Sequence, residues 1–281
     1  MKARATRGRF RAALRTVELL LSSHRLYCLK VPSEQNAVDI FAGEWTTALP
    51  IAGVKTGEAF RVEEDRRVAW AVEKLGAVRG KRVLELGPLE AGHTWLLEQQ
   101  GADVLGIEAN ERAFLRCLIA KNALRLRAQF LLGDFGAFLE TDQSRFDLIF
   151  ASGVLYHLAD PAQVLLRMAS RADRLFLWSH FYDAEAVAAH PKLSRDFAKG
   201  PAAAKVSRGG VEATYHYRVY GPGALTRLMP GFCGGMTTTT VWLTLPDIEA
   251  IVRSQGLELC GLEVQRDHPH GPAFQLAARR A

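Results

Sequence analysis

Val83-Leu84-Glu85-Leu86-Gly87-Pro88-Leu89-Glu90-Ala91-Gly92 reads as a buried strand that runs into a glycine turn and then a helix. A strand, a tight turn and a helix N-terminus together make a site shaped for a nucleotide. The spacing Gly87-x-x-x-x-Gly92 resembles the dinucleotide fingerprint, but Leu89 stands where the middle glycine would let the backbone approach a pyrophosphate. Glu90 adds a negative charge where two phosphates would have to lie. The turn therefore disfavours a dinucleotide and suits a cationic ligand that carries an adenosine.

Outward from this turn, short apolar runs alternate with helical patterns. Strands are expected at 82–86, 104–108, 129–132, 146–152 and 174–178, with helices at 92–100, 111–125, 136–141 and 161–170. Near-continuous apolar strands alternating with helices predict an α/β fold, a doubly wound, mostly parallel seven-stranded Rossmann-like sheet covered on both faces. After Trp178 the rhythm breaks and then resumes with a helix at 246–255. A strand pair at 258–265 and 273–278 follows, forming an antiparallel edge hairpin. The expected organisation is an N-terminal helical extension or cap over 1–80 and a core over 81–281. The core is interrupted after its fifth strand by an insertion at 181–244, in the position of a lid or substrate-binding region.

The whole chain sets bounds on these readings. Its 281 residues, 48% of them hydrophobic, can bury a large core. No apolar run reaches the roughly 18 residues of a membrane span, so no membrane association is expected. Residues 1–21 are basic and then apolar, but Glu18 interrupts the apolar part and no small-residue cleavage site follows. The same stretch reads as an amphipathic helix with Leu14, Val17, Leu20 and Leu21 on one face. Cys28, Cys117, Cys233 and Cys260 show neither metal nor redox spacing, which is consistent with free thiols in a cytoplasmic protein. The net charge of +6 suits an anionic substrate or nucleic acid, and equally an arginine-rich composition with no such partner. The histidines lack a compact ligand pattern, so no metal is expected.

Open parallel sheets bind ligands beyond the carboxyl ends of their strands. Those ends carry Glu85 and Gly87, then Glu108 and Ala109, then Gly133, Asp134 and Phe135, then Ser152, Gly153, Tyr156 and His157. Glu108 stands where a carboxylate can accept from both ribose hydroxyls of a nucleoside. Asp134 can accept from an adenine amino group while Phe135 lies against the ring. Each acid also has a structural reading: Glu85 as an ion-pair partner, Glu108 as a helix N-terminal acid, Asp134 as an N-cap.

Taken together, these strand ends resemble the class I S-adenosylmethionine-dependent methyltransferases. Glu85-Leu86-Gly87 stands at the family's first motif, Glu108 at the acid after the second strand, and Gly133-Asp134 after the third. The run 146–157 stands at the fourth-strand motif. Pro88, Leu89 and Ala91 replace the usual glycine-rich centre. The resemblance implies S-adenosyl-L-methionine as cofactor and S-adenosyl-L-homocysteine as product. It implies a cofactor site of Glu85, Gly87, Glu90, Glu108, Ala109, Gly133, Asp134, Phe135, Ser152, Gly153 and Tyr156. A transferase of this kind needs a positioned nucleophile and, where that nucleophile carries a proton, a base. His157 and His180 are the candidates, with Asp183 to orient His180. Trp45, Arg66, Tyr182 and Tyr215 are candidate substrate contacts, and a small molecule is the expected acceptor at O, N or C. The Gly-Val-Leu-Tyr-His run at 153–157 is also similar to that of tRNA wobble-uridine carboxymethyl-type transferases, so RNA stays as an alternative acceptor. A non-catalytic cofactor-binding homologue is a further alternative.

Overall fold

A computed structural model describes residues 27–58, 60–220 and 235–281. The amphipathic face expected at Leu14 to Leu21 lies outside the described residues, as do the first four residues of Gly231-Phe232-Cys233-Gly234-Gly235, a run whose glycines predict a tight bend. The strands in chain order are β1 (Thr47–Ala48), β2 (Phe60–Arg61), β3 (Arg82–Leu86), β4 (Asp103–Glu108), β5 (Gln129–Leu132), β6 (Leu148–Ser152), β7 (Arg174–His180), β8 (Ala204–Arg208), β9 (Val211–Val219), β10 (Thr239–Trp242), β11 (Leu257–Gln265) and β12 (Ala273–Arg280). Seven of them form one sheet in the order β11-β12-β7-β6-β3-β4-β5. Pairings from β7 through β5 are parallel, whereas β12 runs antiparallel to β7 and β11 antiparallel to β12. This is the doubly wound sheet with an antiparallel edge hairpin.

The order reverses at β3, which has β4 on one side and β6 on the other. That switch point opens a crevice above the carboxyl end of β3. Successive side chains of β6 alternate between two cores: Ile149 and Ala151 face one apolar cluster, Leu148 and Phe150 the other. Helices Pro161–Arg171 and Leu245–Ser254 cover the first face. Helix Glu111–Leu124 and the N-terminal region cover the second.

In that N-terminal region, helices Glu34–Asp39 and Arg67–Leu75 are joined by turns, a two-strand parallel pair and one 3-10 turn. Val38, Phe41, Trp45 and Val62 belong to the same cluster as Val83 and Phe150, so the region is part of the core layer itself. The insertion is more regular than its weak periodicity suggests. Helices Ala184–Ala189 and Pro191–Ala198 precede a three-stranded antiparallel sheet, β10-β9-β8. Tyr215, Tyr217 and Tyr220 interleaved with polar residues predict a short strand, and β9 takes in the first two and ends at Val219. No helix among the described residues is long and apolar enough to cross a membrane.

Candidate active site

A cavity of about 510 Å³ lies at the switch point. Gly87, Glu108, Ala109, Phe135, Ser152, Gly153 and Tyr156 line it from the strand ends, and Thr46, Thr47, Phe60, Asp65 and Arg67 line it from the N-terminal region. The turn that opens it is unusual in its backbone. Gly87 has φ +65°, and a Cβ there would come within 2.6 Å of Val154 Cγ1, so only glycine fits. Leu89 and Ala91 also take left-handed φ values of 55° and 60°, without glycine's freedom.

Glu108 fastens this turn. One carboxylate oxygen accepts from Leu89 N–H at 3.0 Å and the other from Asn110 N–H at 2.9 Å. Burial pushes its carboxyl above the ordinary value, against the pull of the Asn110, Leu89 and Ala109 amides. Glu90 lies at the cavity wall, yet its carboxylate is turned to another task. It accepts from Thr46 N–H at 2.9 Å and Thr47 N–H at 2.8 Å, with the buried Arg116 Nε at 3.7 Å. The charge expected to meet a cationic ligand instead ties the N-terminal region to the core.

Glu85 and Asp134 also depart from their expected places. Neither lines the cavity. Glu85 is buried beneath it, accepts from Thr94 Oγ1 at 2.5 Å, and has its other oxygen without a partner among the described residues. Burial pushes its carboxyl up to about 7. Asp134 is exposed and accepts from Gly136 N–H at 2.7 Å as the N-cap of helix Phe135–Thr141. Gly133 also lies off the lining, so Phe135 alone represents that strand end in the cavity.

Asp65 and His93, which carry no role in the sequence reading, line the cavity together with Arg67, which that reading offers beside Arg66 as a holder of an anionic group. Asp65 accepts from Arg67 in a bidentate pair and lies 2.7 Å from His93 Nε2. Arg67 donates onward to Ser152 Oγ at 2.9 Å, and its guanidinium lies 5.0 Å from the Trp178 ring centre. Burial pushes the Asp65 carboxyl up, but His93 and Arg67 outweigh it and hold it below the ordinary carboxylate range. Arg67 rather than its neighbour Arg66 thus reaches this cavity. The one available signal was the sequence Asp65-Arg66-Arg67 ahead of a helical pattern, and it did not say which arginine turns inward.

A second cavity of about 600 Å³ adjoins the first. Phe60, Asp65, Arg67, Tyr156, His157 and Trp178 line both. His180 lines the second only, because β7 runs two residues beyond its expected end and puts His180 on the face of Trp178. Its Nδ1 lies 3.0 Å from Gly271 O and 3.2 Å from Pro272 O. Carbonyls only accept, so Nδ1 carries the proton and Nε2 is left as an acceptor. Its ring stacks on Trp242 at 5.2 Å and 5°. Burial lowers the His180 pKa to about 4, and burial, with Arg218 and His180 nearby, lowers that of His157 to about 3. Both imidazoles are therefore neutral near pH 7.

Four expected contacts fall elsewhere. Asp183 caps helix Ala184–Ala189 and pairs with Arg266 at 3.0 Å, so it does not orient His180. Trp45 donates from its indole to Val38 O at 3.0 Å within the core. Tyr182 stacks on His216 with ring centres 3.5 Å apart. Tyr215 is buried and donates to Asp160, because the two-residue period of β9 points it at the core and brings Arg218 to the second cavity. Arg66 is exposed and lines the second cavity. Among the described residues no group of acids, histidines or cysteines is placed to hold a metal ion.

A family model described as a methyltransferase domain matches residues 77–199. No curated protein matches the sequence. Among solved structures, the N-terminal domain of EvdMO1, crystallised in the presence of S-adenosylhomocysteine and D-fucose, superimposes with a TM-score of 0.60 at 18% identity, covering 88% of this chain and 95% of that one. Magnesium protoporphyrin IX methyltransferase from Synechocystis PCC 6803, with bound S-adenosylhomocysteine, gives 0.52 at 20% identity over 76% and 80% of the two chains. An S-adenosylmethionine-dependent methyltransferase from Mesorhizobium loti gives 0.51 at 13% identity over 78% and 100%. At these identities the likeness is one of fold.

Proposed function

We propose that the chain binds S-adenosyl-L-methionine in the first cavity and methylates a small molecule held in the second, a reading supported by the methyltransferase-domain model that matches residues 77–199. The observation that carries the reading is the junction: six residues line both cavities, so a ligand in each would meet at Arg67, Tyr156, His157 and Trp178. The first cavity has the donor set that such a cofactor needs. Glu108 is a buried acceptor at a strand end, Phe135, Val154 and Leu158 supply apolar walls, and Gly87 and Gly153 bring backbone close. Its volume lies in the range of roughly 300–1,000 Å³ usual for small-ligand sites. The two solved relatives crystallised with S-adenosylhomocysteine share this fold and support the assignment.

When bound, the cofactor supplies a methyl group already activated as a sulfonium. The protein's own part is to align an acceptor, exclude water and receive a proton. Glu108 holds the turn at Leu89 in place and keeps lone pairs for ribose hydroxyls. Trp178 and Tyr156 form the walls at the junction. His180 Nε2, neutral and fixed in tautomer, is the acceptor for a proton leaving an O–H or N–H nucleophile. His157 stands at the junction itself, its Nδ1 3.4 Å from Tyr220 Oη. A recessed, aromatic-walled cavity supports a small acceptor over RNA, and the alternative of a non-catalytic binder is tested by turnover.

Thermal unfolding in saturating S-adenosylhomocysteine checks the cofactor claim. The midpoint should rise with this ligand and stay put with NAD, and Glu108→Ala should remove the rise. An unchanged midpoint at saturation would sink the assignment.

A further inference from the structure

The second cavity has an uneven charge. Arg66, Arg67, Lys192 and Arg218 line it against only Glu64 and Asp65. Arg67 is neutralised by Asp65 at 2.6 Å and Arg218 by the buried Asp196 at 3.2 Å. Glu64 is engaged by Arg61 at 3.5 Å. Arg66 and Lys192 are left without an ion pair among the described residues. They come from segments more than a hundred residues apart and converge on one space.

Three of the cavity's five histidines do not add to this charge by default. His157, His180 and His268 are all held below their ordinary pKa, chiefly by burial. The ring faces of Phe60, Tyr156 and Trp178 complete the wall on the side of the first cavity. A cationic acceptor would enter an excess of positive charge with no free carboxylate to receive it. A neutral one would leave two cations unanswered. An anion answers both through charge-assisted hydrogen bonds.

Resting on the reading of the first cavity as the cofactor site, we propose that the acceptor is a small ring-bearing anion. Its carboxylate or phosphate is held between Arg66 and Lys192, and its ring lies against the aromatic wall that leads to His180.

The test is calorimetric titration of the purified full chain, free and saturated with S-adenosylhomocysteine, against matched probes. These are 4-hydroxybenzoate against 4-hydroxybenzamide, and glucuronate and glucose 6-phosphate against glucose. At least one anion should bind about tenfold tighter than its neutral counterpart. Whether carboxylate or phosphate is preferred then identifies the charged group. The preference should collapse in Arg66→Gln/Lys192→Gln and in about 0.5 M salt, where screening is strong. Both side chains are exposed, so the double variant should keep its fold and its response to S-adenosylhomocysteine. Neutral probes that bind as tightly as the anions overturn the proposal, as does the absence of binding by every anion in both states. If S-adenosylhomocysteine itself has no effect, the cofactor reading fails, and the comparison on the free chain still decides the acceptor's charge.

Discussion

Glu90 and Glu108 are two acids of the same crevice with different work. Glu108 faces the cavity with both oxygens on backbone amides, whereas Glu90 is consumed by Thr46, Thr47 and Arg116. Removing the Glu90 carboxylate leaves the Thr46 and Thr47 amides without their acceptor and takes from the buried Arg116 one of its two carboxylates, the other being Glu44. Breaking a buried pair from one side costs about 3–5 kcal/mol, so Glu90→Ala should lose stability on that order in urea unfolding, even without ligand. A loss below about 1 kcal/mol would return Glu90 to the ligand. Glu85 gives a prediction with a definite sign. Its folded pKa of about 7 lies above the ordinary 4.5, so between these values the folded chain keeps a proton that the unfolded chain has released. The stability this group contributes is present below pH 4.5 and lost as pH rises through 7. Glu85→Gln cannot titrate, so its stability relative to the parent should improve by about 2–3 kcal/mol between pH 4.5 and pH 8. The nearby histidines are common to both proteins and cancel in the comparison. Strand-end position in the sequence identified these acids as a set, but it could not assign their partners. Thr46 lies 44 residues from Glu90, and nothing local announces the contact.

The turn from β3 into helix Gly92–Gln99 shows how an element can depart from the methyltransferase pattern it resembles and keep a tight turn. Where the pattern has flexible glycines, this chain places Leu89 and Ala91 in left-handed backbone, a conformation that costs an ordinary residue roughly 1–2 kcal/mol. The turn holds because Glu108 receives Leu89 N–H, and Glu90 N–H and Ala91 N–H donate to Pro88 O at 2.6 and 2.9 Å. Ala91→Gly should therefore release strain that offsets the lost methyl contact, leaving stability within about 0.5 kcal/mol of the parent. Ala169→Gly deletes an equally buried methyl inside helix Pro161–Arg171, has no such strain to release, and should cost about 1–2 kcal/mol. Equal losses at the two positions, measured as denaturation midpoints, would mean the turn is unstrained. The parallel strands and their helices were legible because burial on both faces writes itself as continuous apolar runs. The insertion's strands were legible only in part, since β8 and β9 alternate polar and apolar residues over short spans. On β9 the expectation for Tyr215 fails on parity: odd and even positions of a strand face opposite ways, and Tyr215 lies on the core side while Arg218 lines the second cavity.

At the scale of the whole molecule, the first cavity is closed by sequence from three regions. The strand ends give its floor, Thr46 to Arg67 give one wall, and Gly235 and Met236 reach it from the far side of the insertion. The second cavity gathers residues 60–67, 156–157, 178–193, 218–220 and 265–270, which no window of sequence brings together. This is why the sheet could be read from the chain while the acceptor site could not. The division also predicts where ligand energy should be felt. A ligand at about 100 times its Kd stabilises the folded state by about 2.7 kcal/mol, but segments that open without global unfolding respond only if they touch the ligand or pack on what does. The stretch from Thr46 to Arg67 has few regular hydrogen bonds of its own and is anchored through Glu90 and the Asp65–His93–Arg67 cluster. Saturating S-adenosylhomocysteine should therefore slow amide exchange strongly in 45–67 and in the loop 87–92. The edge hairpin of β11 and β12, which lines no part of the first cavity, should change little. Protection spread evenly over the chain would indicate opening only by global unfolding. Protection confined to 87–92 would show that the N-terminal region covers the site without sensing its occupant. The cofactor would then be held by the strand ends alone, and Arg67 would belong to the acceptor rather than to both ligands.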